Sequence, residues 1–266
     1  MARKLRVEYP GAVYHLMNRG DRREKIFLGD ADRVLFLQTL AEVCVKTGWR
    51  VHAYCLMANH FHIVAETPRA NLVAGMKWFL GTYTNRFNRR HKLSGHLFAG
   101  RYKAVIVDGS GNGYLRTVAE YVHLNPHRAR ILGSERPLKD YPWSSFPAYL
   151  LKPKQRPVWL HVDDVFAGMG IPKDSPAGRR EFERAMEQRR RAADASEYTR
   201  IRRGWFVGDD EFREELLEKV AIAARLRQET TMTIGWIADR LSLGVPSTLN
   251  SLLCRRGRVN CKKTRN

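Results

Sequence analysis

Residues 50–66, RVHAYCLM-AN-HFHIVAE, constrain the fold more than any other stretch of the chain. Two runs of strand-forming residues are separated by only two turn residues. So short a connection allows antiparallel neighbours alone, which makes this a β-hairpin. AVYHLMNRG (12–20) reads as an earlier strand ended by glycine and a charged turn, and RYKAVIVD (101–108) as a later one. Between them, DADRVLFLQTLAEVCVKTG (30–48) puts Val34, Leu35, Leu37, Leu40, Val43 and Cys44 at helical spacing, with Asp30 as N-cap and Gly48 as stop. NLVAGMKWFLGTYTNRFNRRHK (71–92) is a second long helix with a basic end. GYLRTVAEYVHLN (113–125) is a third, stopped by Pro126. The order strand, helix, strand, strand, helix, strand, helix implies an α+β sandwich, an antiparallel sheet covered by helices.

The second strand of the hairpin carries two histidines, His60 and His62. Side chains two apart on a strand share a face, roughly 6.5–7 Å apart at the backbone, so their ring nitrogens can converge on one metal ion. Nine histidines in 266 residues produce such a pair by chance about 0.3 times. The pair therefore needs partners from elsewhere in the chain.

Charge narrows the class of partner. Lys and Arg number 47 against 27 Asp and Glu, a net charge of +20 and a pI near 10.2. The C-terminal RRGRVNCKKTRN has six basic residues and no acidic one. Such a field favours a polyanion, and nucleic acid is the usual one. An anionic membrane surface is the second choice, but no basic amphipathic helix with a broad aromatic face is present. No run approaches the ~18 apolar residues of a membrane span. The basic N-terminus lacks an apolar signal core, so a cytoplasmic, nucleoid-associated location is expected. Four cysteines without CxxC spacing argue for reduced thiols rather than a zinc ribbon.

Beyond residue 150 the chain changes character. LKPKQRPVW and IPKDSPAG read as irregular connections. RREFERAMEQRRRAADASEYTRIRR (179–203) reads as a charged helix whose arginines form a solvated face. TIGWIADRLSLGVPSTLNSLL (233–253) has the layout of a helix-turn-helix, with Ile234, Ile237, Ala238 and Leu241 as one apolar stripe and SLG as the turn. Ser247, Thr248, Asn250 and Ser251 on the second helix are suited to base edges or phosphates. The same layout serves in packing hairpins, and the basic tail tips the choice towards DNA. The expected division is a catalytic domain over 1–150, a linker and basic helix over 151–204, and a helical DNA-binding appendage over 205–266.

AEYVHLNPHRA (119–129) supplies what the histidine pair lacks. Tyr121 and Asn125, at i and i+4, share a helix face, while His123 points away. A hydroxyl and a carboxamide oxygen can then look at a metal held by His60 and His62. On the residues alone, Tyr121 as a core aromatic and Asn125 as a cap before Pro126 is the commoner arrangement. MANHFHIV followed by YVHLNPHRA, together with PGAVYHLMNRGDRREKIF, GHLFAGRYKAVIV and DYPWSSFPAYL, resembles the HUH single-tyrosine transposases, in particular the REP-associated tyrosine transposases. The likeness covers about residues 5–150 in the family's order. It implies a ferredoxin-like HUH nuclease fold with His60, His62 and Asn125 as metal ligands, Tyr121 as nucleophile and Mg2+ or Mn2+ as the ion. Some relatives carry a glutamine in place of Asn125. The resemblance also implies a 5′-phosphotyrosine intermediate on single-stranded or hairpin DNA, formed by a monomer or a homodimer.

The residue types suit that chemistry. Neutral ligands leave a divalent ion its full charge for the phosphate, and a tyrosine ester conserves the energy of the broken bond. Phenols have a reference pKa near ~10, so the attack needs a base, and none is assigned. Single-stranded DNA needs basic grooves, for which Arg86, Arg89, Arg90, Arg101 and Lys103 are the candidates; Trp78, Tyr83 and Phe87 belong rather to the core. A non-cleaving, domesticated DNA-binding protein is the main alternative. A relaxase or rolling-circle initiator is disfavoured by a histidine pair that precedes the tyrosine.

Overall fold

The structure is a computed structural model, and it describes residues 7–133, 135–192, 198, 201, 204–229 and 233–241. Its first half follows the sequence pattern closely: β1 (Ala12–Arg19), α1 (Asp30–Thr47), β2 (Arg50–Met57), β3 (His60–Thr67), α2 (Leu72–His91), β4 (Lys103–Val107) and α3 (Tyr114–Arg128). The sheet order is β2-β3-β1-β4, antiparallel throughout, which is the ferredoxin-like arrangement. A fifth strand, β5 (Phe206–Val207), adds to β4 in parallel and makes the sheet mixed. Two residues from a distant segment leave no periodicity to read, so nothing in the sequence announces this strand.

Strand alternation sorts the side chains between two faces. Phe61, between the two histidines of β3, enters the core under α1 and α2, where its ring lies 5.0 Å from Phe36 and 6.3 Å from Phe79. Tyr83 of α2 is fully buried in the same cluster and donates its hydroxyl to Ile26 O at 2.6 Å. On the opposite face the register pairs Met17 with His62 and with Lys103, and Arg19 with His60. That face, covered by α3, therefore collects His15, Met17, His60, His62 and Lys103.

Two helix boundaries depart from expectation. Gly29, not Asp30, is the N-cap of α1. Asp32, one turn in, accepts from the Leu28 and Gly29 amides at 2.8 and 3.2 Å and is held in turn by His91 Nε2 at 2.8 Å. At the other end Gly48 stops α1 as expected, in the left-handed region at φ 77°. Pro126 does not stop α3, which runs on to Arg128. The proline removes only the bond to Val122 O, and that freed carbonyl takes a long 3.5 Å contact from Asn125 Nδ2 instead.

The DYPWSSFPAYL segment laces the open edge of β2. Tyr141 donates its hydroxyl to Leu56 O at 2.7 Å, Ser145 Oγ accepts from Tyr54 N at 2.9 Å, and Tyr149 of α4 (Phe146–Tyr149) donates to His52 O. Covering an edge in this way prevents further strand pairing. Next come α5 (Asp163–Gly168), α6 (Pro176–Ala192), α7 (Asp210–Glu229) and α8 (Ile234–Arg240). The arginine run of α6 is only partly solvated. Phe182, Met186 and Arg190 are buried, Arg190 Nε lies 2.6 Å from Glu187, and Arg189 Nε lies 3.2 Å from Glu120. In α8, Ile237 and Ala238 are buried and Ile234 is half-buried, as is Leu241 just past its end. The expected second helix, with Ser247, Thr248, Asn250 and Ser251, and the basic tail lie outside the described residues. Among the described residues no helix is long and apolar enough to cross a membrane, and Cys44 and Cys55 are buried free thiols.

Candidate metal and nucleophile centre

His60 and His62 lie side by side on β3 with ring centroids 5.1 Å apart. Tyr121, on α3, presents its ring edge-on to His62 at 5.7 Å. Residues 59 positions apart in sequence thus meet across the sheet–helix interface. Asn125 follows one helical turn after Tyr121 and is buried. Its Nδ2 is the atom turned to Val122 O, so Oδ1 is the one left for a cation. His123, on the same helix, sits on the other side as expected. It is fully buried, with Nε2 2.7 Å from Ser145 Oγ and its ring among Phe146, Tyr149 and Phe182. Glu120 is buried too, but turned to Arg116 and Arg189.

Both candidate ligands are held by their Nδ1 atoms. His60 Nδ1 lies 2.8 Å from Asn59 Oδ1. The Asn59 amide is oriented by its Nδ2, which donates to Arg23 O at 3.0 Å, so an oxygen faces His60 and the imidazole must donate. His62 Nδ1 lies 2.9 Å from Nε2 of His15, a fully buried residue on β1. Burial pushes the His62 imidazole well below its ordinary pKa, and His15, His60, Arg128 and Lys103 push it further in the same direction. Burial lowers His60 as well, with help from Arg19, and carries His15 down to about 3. Neutral imidazoles with Nδ1 engaged and Nε2 remaining are the form that binds a divalent cation.

Among the described residues no three His, Cys, Asp or Glu side chains form a metal-ligating cluster. A third side-chain donor would therefore be the Asn125 carboxamide, and the set fits a divalent ion that keeps open positions for water and phosphate.

The surroundings of Tyr121 include residues that the sequence pattern did not single out. Arg128 lies 4.8 Å above the Tyr121 ring and 4.6 Å above that of Tyr198, and the two tyrosine rings are 5.5 Å apart. Arg128 is one of three basic residues, with His127 and Arg130, in the last turn and C-terminal flank of α3, where charge alone gives no reason to choose it. His15 pairs with neither histidine of β3 in sequence; only the strand register could have pointed to it.

The candidate phosphate contacts fare differently from one another. Lys103 lies on the same sheet face as His62, directly across from Met17. Arg89 and Arg101 are exposed. Arg90 is largely exposed, with Nε 3.4 Å from Asp32. Arg86 is engaged within the protein: its two terminal nitrogens meet the Glu42 carboxylate at 2.7 and 2.9 Å and one also meets Thr39. This fork ties α2 to α1, and a phosphate would have to compete with it.

Parts of the chain are similar to known proteins. Residues 9–125, a little under half of the chain, match the family described as IS200-like transposase. A solved REP-associated tyrosine transposase bound to a REP hairpin is similar over 60% of this chain and 92% of its own, at 15% identity and a TM-score of 0.46. No functionally curated protein matches.

Proposed function

From the premise that residues 9–125 form an IS200-like transposase domain, we propose that this chain cuts and rejoins DNA strands with Tyr121 as nucleophile. The observation that carries the reading is the edge-on approach of Tyr121 to His62, on the one sheet face that also holds His60. His60, His62 and the Asn125 carboxamide would hold a divalent cation, Mg2+ or Mn2+. Such an ion neutralises charge developing on the phosphate and orients it for in-line displacement.

The residues then have separate tasks. Tyr121 Oη attacks phosphorus as its proton leaves. The bond from phosphorus to the 3′ oxygen breaks, and that oxygen leaves as a free 3′-hydroxyl after gaining a proton. The product is a 5′-phosphotyrosine, which a later 3′-hydroxyl reverses by the same route. Arg128, over the Tyr121 ring, contributes positive charge where the phenolate forms. Lys103 and the exposed Arg89, Arg90 and Arg101 are suited to the DNA backbone. A hairpin with a flanking single strand fits a basic protein that must reach an unstacked phosphate. The segment from about 205 onward, with its basic tail, is assigned to DNA binding.

The test is incubation with an end-labelled hairpin oligonucleotide carrying a flanking single strand, with Mn2+ or Mg2+. A covalent adduct mapping to Tyr121 is expected. Tyr121→Phe, which removes one oxygen, should bind the same DNA with unchanged affinity and form no adduct. An adduct on another tyrosine, or cleavage by Tyr121→Phe, sinks the assignment. Tight hairpin binding with no adduct under any divalent ion favours the non-cleaving alternative.

A further inference from the structure

We propose that His15 is a positioning residue that holds His62 in the tautomer presenting Nε2 to a divalent cation. The proposal rests on the reading of His60 and His62 as ligands.

His15 and His62 come from different strands, and the antiparallel register of β1 and β3 sets them diagonally on one face: His15 opposite Val64, Met17 opposite His62. Their facing nitrogens are 2.9 Å apart, within the range of an N–H···N hydrogen bond, and their ring planes differ by 22°. One proton lies between two nitrogens, so one ring donates and the other accepts. If His62 Nδ1 accepts, its proton sits on Nε2, and that nitrogen has no lone pair for a cation. If His62 Nδ1 donates, Nε2 is free, and His15 must accept through Nε2 with its own proton on Nδ1. Coordination at His62 and the acceptor state of His15 therefore occur together.

The two candidate ligands are held with unequal firmness. His60 faces a carboxamide oxygen, which accepts only, so its tautomer is fixed. His62 faces an imidazole, which either donates or accepts. His15 Nδ1 is buried and has no hydrogen-bond partner, so no second bond fixes the His15 tautomer from its far side. When His15 accepts from His62 Nδ1 and carries its own proton on Nδ1, the hydrogen bond stabilises the His62 tautomer that leaves Nε2 free. Tyr121 stands edge-on to both rings, at 5.6 Å from His15 and 5.7 Å from His62, so the pair also forms the wall against which the nucleophile rests.

The experiment measures Mn2+ binding to DNA-free protein by calorimetry and by the electron paramagnetic resonance of unbound ion. His15→Phe keeps the ring and loses the acceptor. It should weaken Mn2+ binding by about 10–100-fold, the usual effect of removing a hydrogen-bond partner from a ligating imidazole. His15→Gln retains an acceptor oxygen and should recover most of the loss. Hairpin binding in chelator should be unchanged in both variants, which separates this role from general damage to the fold. In wild type with Mg2+, long-range proton–nitrogen spectra should show Nδ1–H on both His15 and His62. Wild-type Mn2+ affinity in His15→Phe, or an Nε2–H on Mg2+-bound His62, overturns the proposal even where His62→Ala loses the ion. If His62→Ala also keeps full Mn2+ affinity, the ligand assignment itself fails and the proposal falls with it.

Discussion

The sheet has a buried histidine near each end, and the two keep opposite company. His62 is surrounded by His15, His60 and the cationic side chains of Lys103 and Arg128. His52 lies at a bulge in β2, where the register shifts between Val51 and Ala53, and is 1% exposed. Its ring stands between two carboxylates, with Nδ1 3.6 Å from Asp164 Oδ2 and Nε2 3.8 Å from Glu66 Oε2. His52, Glu66 and Asp164 line a cavity of about 660 Å3 together with Asp108 and Glu215. Glu66 pairs with Val13, four rungs from the Met17–His62 rung, or about 13 Å along the strand. A protein of net charge +20 thus gathers carboxylates, with Arg50 and Arg116 among them, at one end of its sheet and leaves the other to imidazoles and cations. Burial is common to both histidines; what they can do is set by the sign of their neighbours. Imidazole among cations stays neutral and keeps a lone pair, whereas His52 stands within 4 Å of two carboxylates.

The largest test of that contrast substitutes each histidine in turn. His62→Ala should lower Mn2+ affinity by more than about 100-fold and nearly eliminate strand cleavage, as should chelation of the wild type. His52→Gln should leave both within about two-fold and lower only the melting temperature. Loss of cleavage in His52→Gln with an intact fold would break the contrast.

Asn125→Ala should reduce cleavage by about 10–100-fold, less than either candidate ligand histidine, because water can replace one neutral donor. Single-turnover rates at saturating Mn2+ rank the three. If Asn125→Ala proves the most severe, the division between imidazole and carboxamide ligands is wrong.

His123 supplies a control for burial alone. Burial holds it at about 3, and its Nε2 meets a neutral hydroxyl, with neither cations nor carboxylates bonded to it. The unfolded chain, with a reference pKa near ~6.5, takes up a proton that the folded chain refuses until pH falls to about 3. Stability from this group is complete above ~6.5 and is lost as pH drops, at up to about 1.4 kcal/mol per pH unit. Urea unfolding at pH 7 and pH 5 should therefore show the wild type losing about 2 kcal/mol more than His123→Gln. Parallel losses would mean that His123 is protonated in the folded protein.

The smallest effect is expected at Asp164, whose side chain is 62% exposed. Asp164→Asn should change stability by less than about 1 kcal/mol and leave Mn2+ affinity untouched. A larger loss would show that the His52–Asp164 contact anchors α5 to the sheet.

How much of this was legible beforehand follows from the range of each signal. HFHIV placed two histidines on one side of a strand and an aromatic on the other, and the structure puts Phe61 in the α1–α2 core with His60 and His62 opposite. The four-residue step from Tyr121 to Asn125 placed them on one helix face, and the turn residues Ala58 and Asn59 fixed the hairpin. These are periodicities within a single element, written in neighbouring residues. Pro126 misled because its effect depends on what replaces the lost bond, and Asn125 does so from the next residue back.

What the sequence determined by itself was therefore the βαββαβ order, the faces of each element and the residue types available for chemistry. The tertiary structure alone decided which of those faces meet. It put His15 against His62 across 47 positions, turned Arg86 onto Glu42, added β5 beside β4 and set His52 between two carboxylates. Each of these is a choice of partner made by packing, where a side chain's proton, charge and reach depend on atoms that arrive from elsewhere in the chain.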